Sequence, residues 1–121
     1  MNSRILIVED NSAISDLLST LLTRNDIENR CVDSVEEAQA VLAADDGFDL
    51  LLTDIVMPGN MDGLGLAKWA SARHPSMRIG LMSGYRASND GEVDIPVLAK
   101  PFREYDLLEY LQQRLADDAP H

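Results

Sequence analysis

The chain predicts an α/β fold in which five βα units surround an open parallel sheet. Short apolar runs rich in β-branched residues recur along it, with segments of helical period between them. The run at 48–53, FDLLLT, carries its leucines without alternation. That marks a strand covered on both faces, and therefore a central one.

The first strand is expected at 4–8, RILIV. The helix after it sets Ile14, Leu17, Leu18, Leu21 and Leu22 on one face, with Asn11 or Ser12 as N-cap. A second, shorter strand falls at 29–32. Ser34 followed three residues later by Glu37 has the form of a capping box, and Val35, Ala38, Val41 and Leu42 give the second helix its apolar stripe. Asp45, Asp46 and Gly47 end that helix. Strand three, 48–53, delivers Asp54 at its carboxyl end. A loop with Pro58, Gly59 and Asn60 leads to a third helix from about Asp62 to His74, where Pro75 forbids continuation. Strand four is 78–83 and strand five is 95–99, opened by Pro96 where a strand tolerates proline. The last helix follows Pro101, with Tyr105, Leu108, Leu111 and Leu115 inward. Between Ser83 and Pro96 stands only GYRASNDGEVDI, rich in turn formers and without a helical stripe, so the fourth helix is expected to be short or absent.

A chain of 121 residues, 45% of them apolar, suits one domain with its own core, and residues 1–121 read as a single unit whose tail frays from about residue 117. Ten basic against twenty-one acidic residues leave a net charge of −11, which disfavours direct contact with nucleic acid or an anionic lipid surface. No run approaches the roughly 18 apolar residues of a membrane span. The opening MNSRILIVED has acids where a signal peptide carries small residues, so a soluble, cytoplasmic protein is expected. Cys31, with no second cysteine to pair with, reads as a small buried hydrophobe.

Ligands of an open parallel sheet bind beyond the carboxyl ends of its strands. Strand one delivers Glu9 and Asp10 there, strand three Asp54, strand four Ser83 and strand five Lys100. Three carboxylates on one rim repel one another unless a cation sits among them, and oxygen donors select a hard ion such as Mg²⁺. Asp54 is then placed to attack a phosphoryl donor, with Lys100 and the Ser83 hydroxyl holding phosphoryl oxygens, and the product is an aspartyl phosphate. Singly, each residue has a plainer role: Glu9 and Asp10 as first-turn acids, Asp54 and Ser83 as turn residues, Lys100 as a solvated charge, Pro101 as a helix-start proline. Convergence from four strand ends is what those plainer roles leave unexplained.

From ILIVEDN through LLTDIVMPGNMDG and LMSGY to LAKPF, the chain is similar to the receiver domain family of two-component response regulators. The resemblance covers essentially the whole chain. It implies a doubly wound, flavodoxin-like (βα)5 fold with strand order 2-1-3-4-5. It implies that Glu9 and Asp10 are the acidic metal pair, Asp54 the phosphoacceptor and a metal ligand, and the Val56 backbone carbonyl a further ligand to Mg²⁺. Ser83 corresponds to the switch hydroxyl and Lys100 to the phosphate-pairing lysine, with a cis peptide bond before Pro101. The implied partners are a histidine kinase or histidine phosphotransfer protein and a downstream protein, and the implied role is a switch in a phosphorelay, not a turnover enzyme. The PGNMDG loop and SGY resemble receivers of hybrid sensor kinases or their stand-alone relatives. One departure stands out: Val97 occupies the place, three residues before Lys100, where many members carry an aromatic that reorients. Any response is therefore expected to travel by Ser83 and the loop after it.

Other functions fit less well. A phosphatase of the haloacid dehalogenase type needs a second Asp two residues after the first, and Val56 stands there. GLGLAK at 63–68 lacks the third glycine of a dinucleotide site and does not directly follow a strand. A flavodoxin-like phosphate loop needs donors after strand one, where this chain has two acids. An interaction module that has lost phosphorylation would lack rim residues, and here all are present.

Overall fold

The structure, a computed structural model, describes residues 3–84 and 95–116. Its elements alternate along the chain: β1 (Arg4–Val8), α1 (Ser12–Arg24), β2 (Glu28–Val32), α2 (Val35–Ala44), β3 (Leu50–Asp54), α3 (Gly63–Arg73), β4 (Arg78–Ser83), β5 (Val97–Ala99) and α4 (Glu104–Ala116). All strand pairs are parallel and the sheet order is β2-β1-β3-β4-β5, as the resemblance implies. The expectation of a short or absent helix between Ser83 and Pro96 falls on residues 85–94, outside the described residues, as does the tail from 117.

Unbroken apolar strands are needed because both faces of this sheet are covered. Leu6, Val8, Leu51, Ile79 and Leu81 point into a core closed by α2 and α3. Their neighbours Ile5, Ile7, Leu50, Leu52 and Met82 point into a second core closed by α1 and α4. The order of strands reverses at β1, so the crevice between the ends of β1 and β3 is where such a sheet receives ligands.

The helix caps follow the sequence closely. Asn11 Oδ1 accepts from Ala13 N and Ile14 N, which makes Asn11 the cap of α1. Ser34 Oγ accepts from Glu37 N, while Glu37 Oε1 accepts from Asp33 N, so the return bond of the capping box slides back one residue. Asp62 caps α3 through Gly65 N, and His74 ends it before Pro75.

Several expectations need correction. Strand three begins at Leu50: Phe48 lies before it, buried in the core on the side of α2 and α3, with the Arg4 guanidinium 4.5 Å over its ring. Leu17 is 45% exposed, leaving Leu18, Leu21 and Leu22 as the buried residues of α1. Cys31 is only half buried, with its thiol directed at Ser15 O. On the last helix Leu111 is buried and Leu108 and Leu115 pack against the core, as read in the sequence, but a rotation leaves Tyr105 70% exposed and buries Leu107, Tyr110 and Arg114. The rotation has a polar cause. Tyr110 and Arg114 reach β4, where Arg114 Nε donates to Ile79 O at 2.8 Å and the Tyr110 hydroxyl meets Leu81 N. Strand five is Val97–Ala99, two residues shorter than expected.

Candidate functional site

The rim residues are held by backbone bonds that continue the ladders past the strand ends. Glu9 N donates to Val32 O, Ile55 N to Met82 O, and Lys100 N to Ser83 O at 2.9 Å. Glu9 follows β1, Asp54 closes β3, Ser83 closes β4 and Lys100 follows β5. The sheet brings all of them, with Asp10, to one edge, as their positions in the sequence anticipate. The peptide bond between Lys100 and Pro101 is cis.

Within this rim the carboxylates differ in environment. Glu9 is 2% exposed and Asp54 7% exposed, whereas Asp10 faces solvent. One oxygen from each of the three lies within 4.8 Å of the others. Lys100 Nζ donates to Glu9 Oε1 at 2.7 Å and to Asp54 Oδ2 at 2.8 Å, so one ammonium bridges the two buried acids. Their other oxygens are also occupied: Asn11 N donates to Glu9 Oε2 and Val56 N to Asp54 Oδ1. Burial works against the Lys100 ammonium, but the hydrogen bonds and charges of Asp54 and Glu9 outweigh it and raise the Lys100 pKa above its ordinary value. Lys100 is therefore a fixed cation at neutral pH. Ser83 is buried beside it at the end of β4. Val56 stands in the loop directly after β3 with an exposed side chain, and its amide is committed to Asp54.

Two residues that the sequence reading passed over hold Asp54 in place. A Cβ on Gly63 would lie 1.9 Å from Asp54 O and 2.8 Å from its carbonyl carbon, so only glycine lets α3 start against the back of the Asp54 peptide. Gly63 N also donates to Ile55 O at 2.9 Å. The Thr53 hydroxyl, fully buried, donates to Asp54 O. A glycine straight after the helix cap Asp62 was the available signal for the first; nothing in the sequence marks the second.

Residues 5–112 match the family model of the response regulator receiver domain. The chain belongs to that family. It is 34% identical to the response regulator receiver protein CpdR of Brucella abortus over 93% of this chain and 96% of the relative. It is equally identical to the response regulator protein FleR of Pseudomonas aeruginosa over 99% of this chain, but spans only 26% of that protein's length. Among solved structures, a CheY-like receiver domain protein from Methanospirillum hungatei superposes with a TM-score of 0.86 at 30% identity, over 98% of this chain and 97% of that one. The receiver fold and its membership in two-component signalling are thus shown. No helix among the described residues is long and apolar enough to cross a membrane.

Proposed function

We propose that this receiver is a phosphoacceptor switch in a two-component phosphorelay, with Asp54 as the acceptor. The observation that supports it most directly is the Lys100 ammonium bridging Asp54 and Glu9 at 2.8 and 2.7 Å, with the Asp10 carboxylate beside them. Surface lysines rarely sit 15% exposed between two buried acids; such a group belongs to a site where charge must be held and handed over. The donor is a phosphohistidine of a histidine kinase or phosphotransfer protein. An Asp54 carboxylate oxygen attacks phosphorus in line with the leaving imidazole, the N–P bond breaks, and the imidazole nitrogen leaves with its electron pair and takes up a proton. Lys100 and the Ser83 hydroxyl then hold the phosphoryl oxygens, which Lys100 is free to do once Asp54 has become an acyl phosphate.

The donor set suits Mg²⁺: three carboxylates with oxygens within 4.8 Å, one of them open to water, and no sulfur or imidazole among them. Glu9, Asp10, Asp54 and the Val56 carbonyl would hold the ion, whose chemistry is to offset negative charge on the phosphoryl oxygens. The group transferred stays on the protein, so the chain works as a switch and not as a turnover enzyme, and relays its state to a downstream protein. Incubation with acetyl phosphate and Mg²⁺, followed by mass mapping, should place one phosphoryl group on Asp54 and none on Asp54→Asn. A labelled Asp54→Asn chain, or a label elsewhere in the wild type, would refute the assignment.

A further inference from the structure

The hydroxyl of Tyr110 stands inside the ladder between β4 and β5. The register pairs Leu81 with Val97, Met82 with Leu98 and Ser83 with Ala99, and Lys100 N donates to Ser83 O. In a parallel ladder that pattern repeats every second residue, so the bond due one step back joins Leu81 N to Pro96 O. Here that link runs through a phenol. Leu81 N donates to Tyr110 Oη at 2.8 Å, and Oη donates to Pro96 O at 2.6 Å. Two hydrogen bonds and an oxygen take the place of one bond of about 2.9 Å, which holds Pro96 off β4 and lets regular pairing begin only at Val97.

A second position is fitted to the ring. A Cβ on Gly80 would meet Tyr110 Cε2 at 3.1 Å and Leu52 Cδ1 at 3.0 Å, so the absent side chain of Gly80 is the slot in which the ring lies. Burial pushes the Tyr110 pKa up to about 12, and the hydroxyl keeps the proton it gives to Pro96 O throughout the neutral range.

We propose that Tyr110 is a positioning residue for Lys100, and that its hydroxyl couples α4 to the phosphoacceptor rim. Strand β5 is a lever of three residues, fixed at one end by the Lys100 N to Ser83 O bond and spaced at the other by the phenol. That spacing sets the angle at which Lys100 is presented to Asp54 and Glu9. Val97 is an exposed aliphatic at the start of β5, and the ring that reaches this strand comes from α4. The inference rests on Asp54 and Lys100 acting as proposed above.

Tyr110→Phe keeps the ring in its slot and removes only the oxygen. Amide NMR of the full chain, without any phosphodonor, reads the geometry, and the initial rate of labelling by acetyl phosphate with Mg²⁺ reads its consequence. Leu111→Val, on the same buried face, serves as a control for lost stability alone. We expect Tyr110→Phe to move the Ser83 and Lys100 amide signals and to slow labelling roughly tenfold, as sub-ångström misplacement of an aligned group does, with Mg²⁺ affinity kept. Leu111→Val should leave both unchanged. Unmoved Ser83 and Lys100 amides, or a labelling loss matched by Leu111→Val, would overturn the proposal. Should Tyr110→Phe fail to fold, Gly80→Ala, which keeps the hydroxyl and pushes on Cε2, decides it: shifts at the same amides uphold the coupling and silence there refutes it. A wild-type chain that takes no label sinks the acceptor assignment, while the NMR comparison still tells whether Tyr110 places Lys100.

Discussion

Gly63→Ala should cost this protein far more than one methyl group ordinarily does. The added Cβ would stand 1.9 Å from Asp54 O, 2.8 Å from the Asp54 carbonyl carbon and 2.9 Å from Ile55 Cα. An ordinary carbon–oxygen contact is about 3.3 Å, so the two backbones must part by more than roughly 1 Å. Neither gives easily, because Asp54 is paired to β4 and Gly63 opens α3. Overpacking costs about 1–3 kcal/mol and loss of the Gly63 N to Ile55 O bond about 1 more, giving about 2–4 kcal/mol. With a urea slope of roughly 2 kcal/mol per molar, the unfolding midpoint should fall by about 1–2 M at unchanged slope. Gly65→Ala is the matched comparison. Its Cβ meets Met61 Cγ at 2.7 Å, the side chain is flexible, and alanine favours the helix interior, so its stability should stay within about 1 kcal/mol of wild type. A wild-type midpoint for Gly63→Ala, or a larger loss for Gly65→Ala, would refute the close-approach argument. Since the peptide displaced is that of Asp54, labelling by acetyl phosphate should fall as well.

Other perturbations separate the roles of the rim. Asp10→Asn removes one of three repelling charges, so in metal-free buffer urea unfolding should show stability equal to wild type or up to about 1 kcal/mol higher, while calorimetric titration shows Mg²⁺ binding strongly weakened; unchanged Mg²⁺ affinity would count against Asp10 as a ligand. Lys100→Ala leaves Glu9 and Asp54 buried without their cation and should cost about 3 kcal/mol in chelator, part of it recovered with Mg²⁺; equal losses in the two buffers would contradict the charge balance proposed here. The Glu104 carboxylate is held below its ordinary 4.5 by hydrogen bonds from Arg24 and then Asn25. A lowered carboxyl pKa stabilises above the unfolded value and loses that contribution as pH falls through the folded one. The stability gap between wild type and Glu104→Gln should therefore be open at neutral pH, shrink with added salt and close below 4.5; a gap that persists in acid would assign it to packing.

How much the sequence disclosed follows from which interactions are local. Caps such as Asn11 and Ser34 bond to residues two or three places away, and the leucines of β3 declare burial on two faces without reference to anything else. The rim residues were legible for a related reason: each sits at a strand end, and parallel order carries all strand ends to one side. What stayed hidden depends on distant neighbours. Polarity counts Tyr110 and Arg114 as outward-facing, yet both bury their apolar stems and spend their polar tips on β4, which turns α4 and exposes Tyr105. Gly63 is marked only by its place straight after the Asp62 cap, because its requirement comes from the Asp54 peptide and not from its own backbone angles. Nor does spacing reveal that Lys100 pairs with Glu9 as well as Asp54, 91 and 46 residues away.

That double pairing orders the chemistry of the rim. Asp10 can lower its own cost by facing water, but Glu9 and Asp54 cannot, and a buried acid without a partner is expensive. Lys100 is the resting counter-ion of both. It can follow charge onto a phosphoryl group only if the two acids are satisfied in its place: Asp54 by becoming an acyl phosphate, Glu9 by the Asn11 amide and by a cation shared with Asp10. On the proposed function, phosphorylation and metal binding would therefore release the same lysine. Such a displacement would be taken up where the backbone of Lys100 is anchored, at the Ser83 carbonyl and along a three-residue strand spaced by a phenol from α4. If Asp54 takes a phosphoryl group as proposed, the end of β5 is where the added charge would become a change of shape.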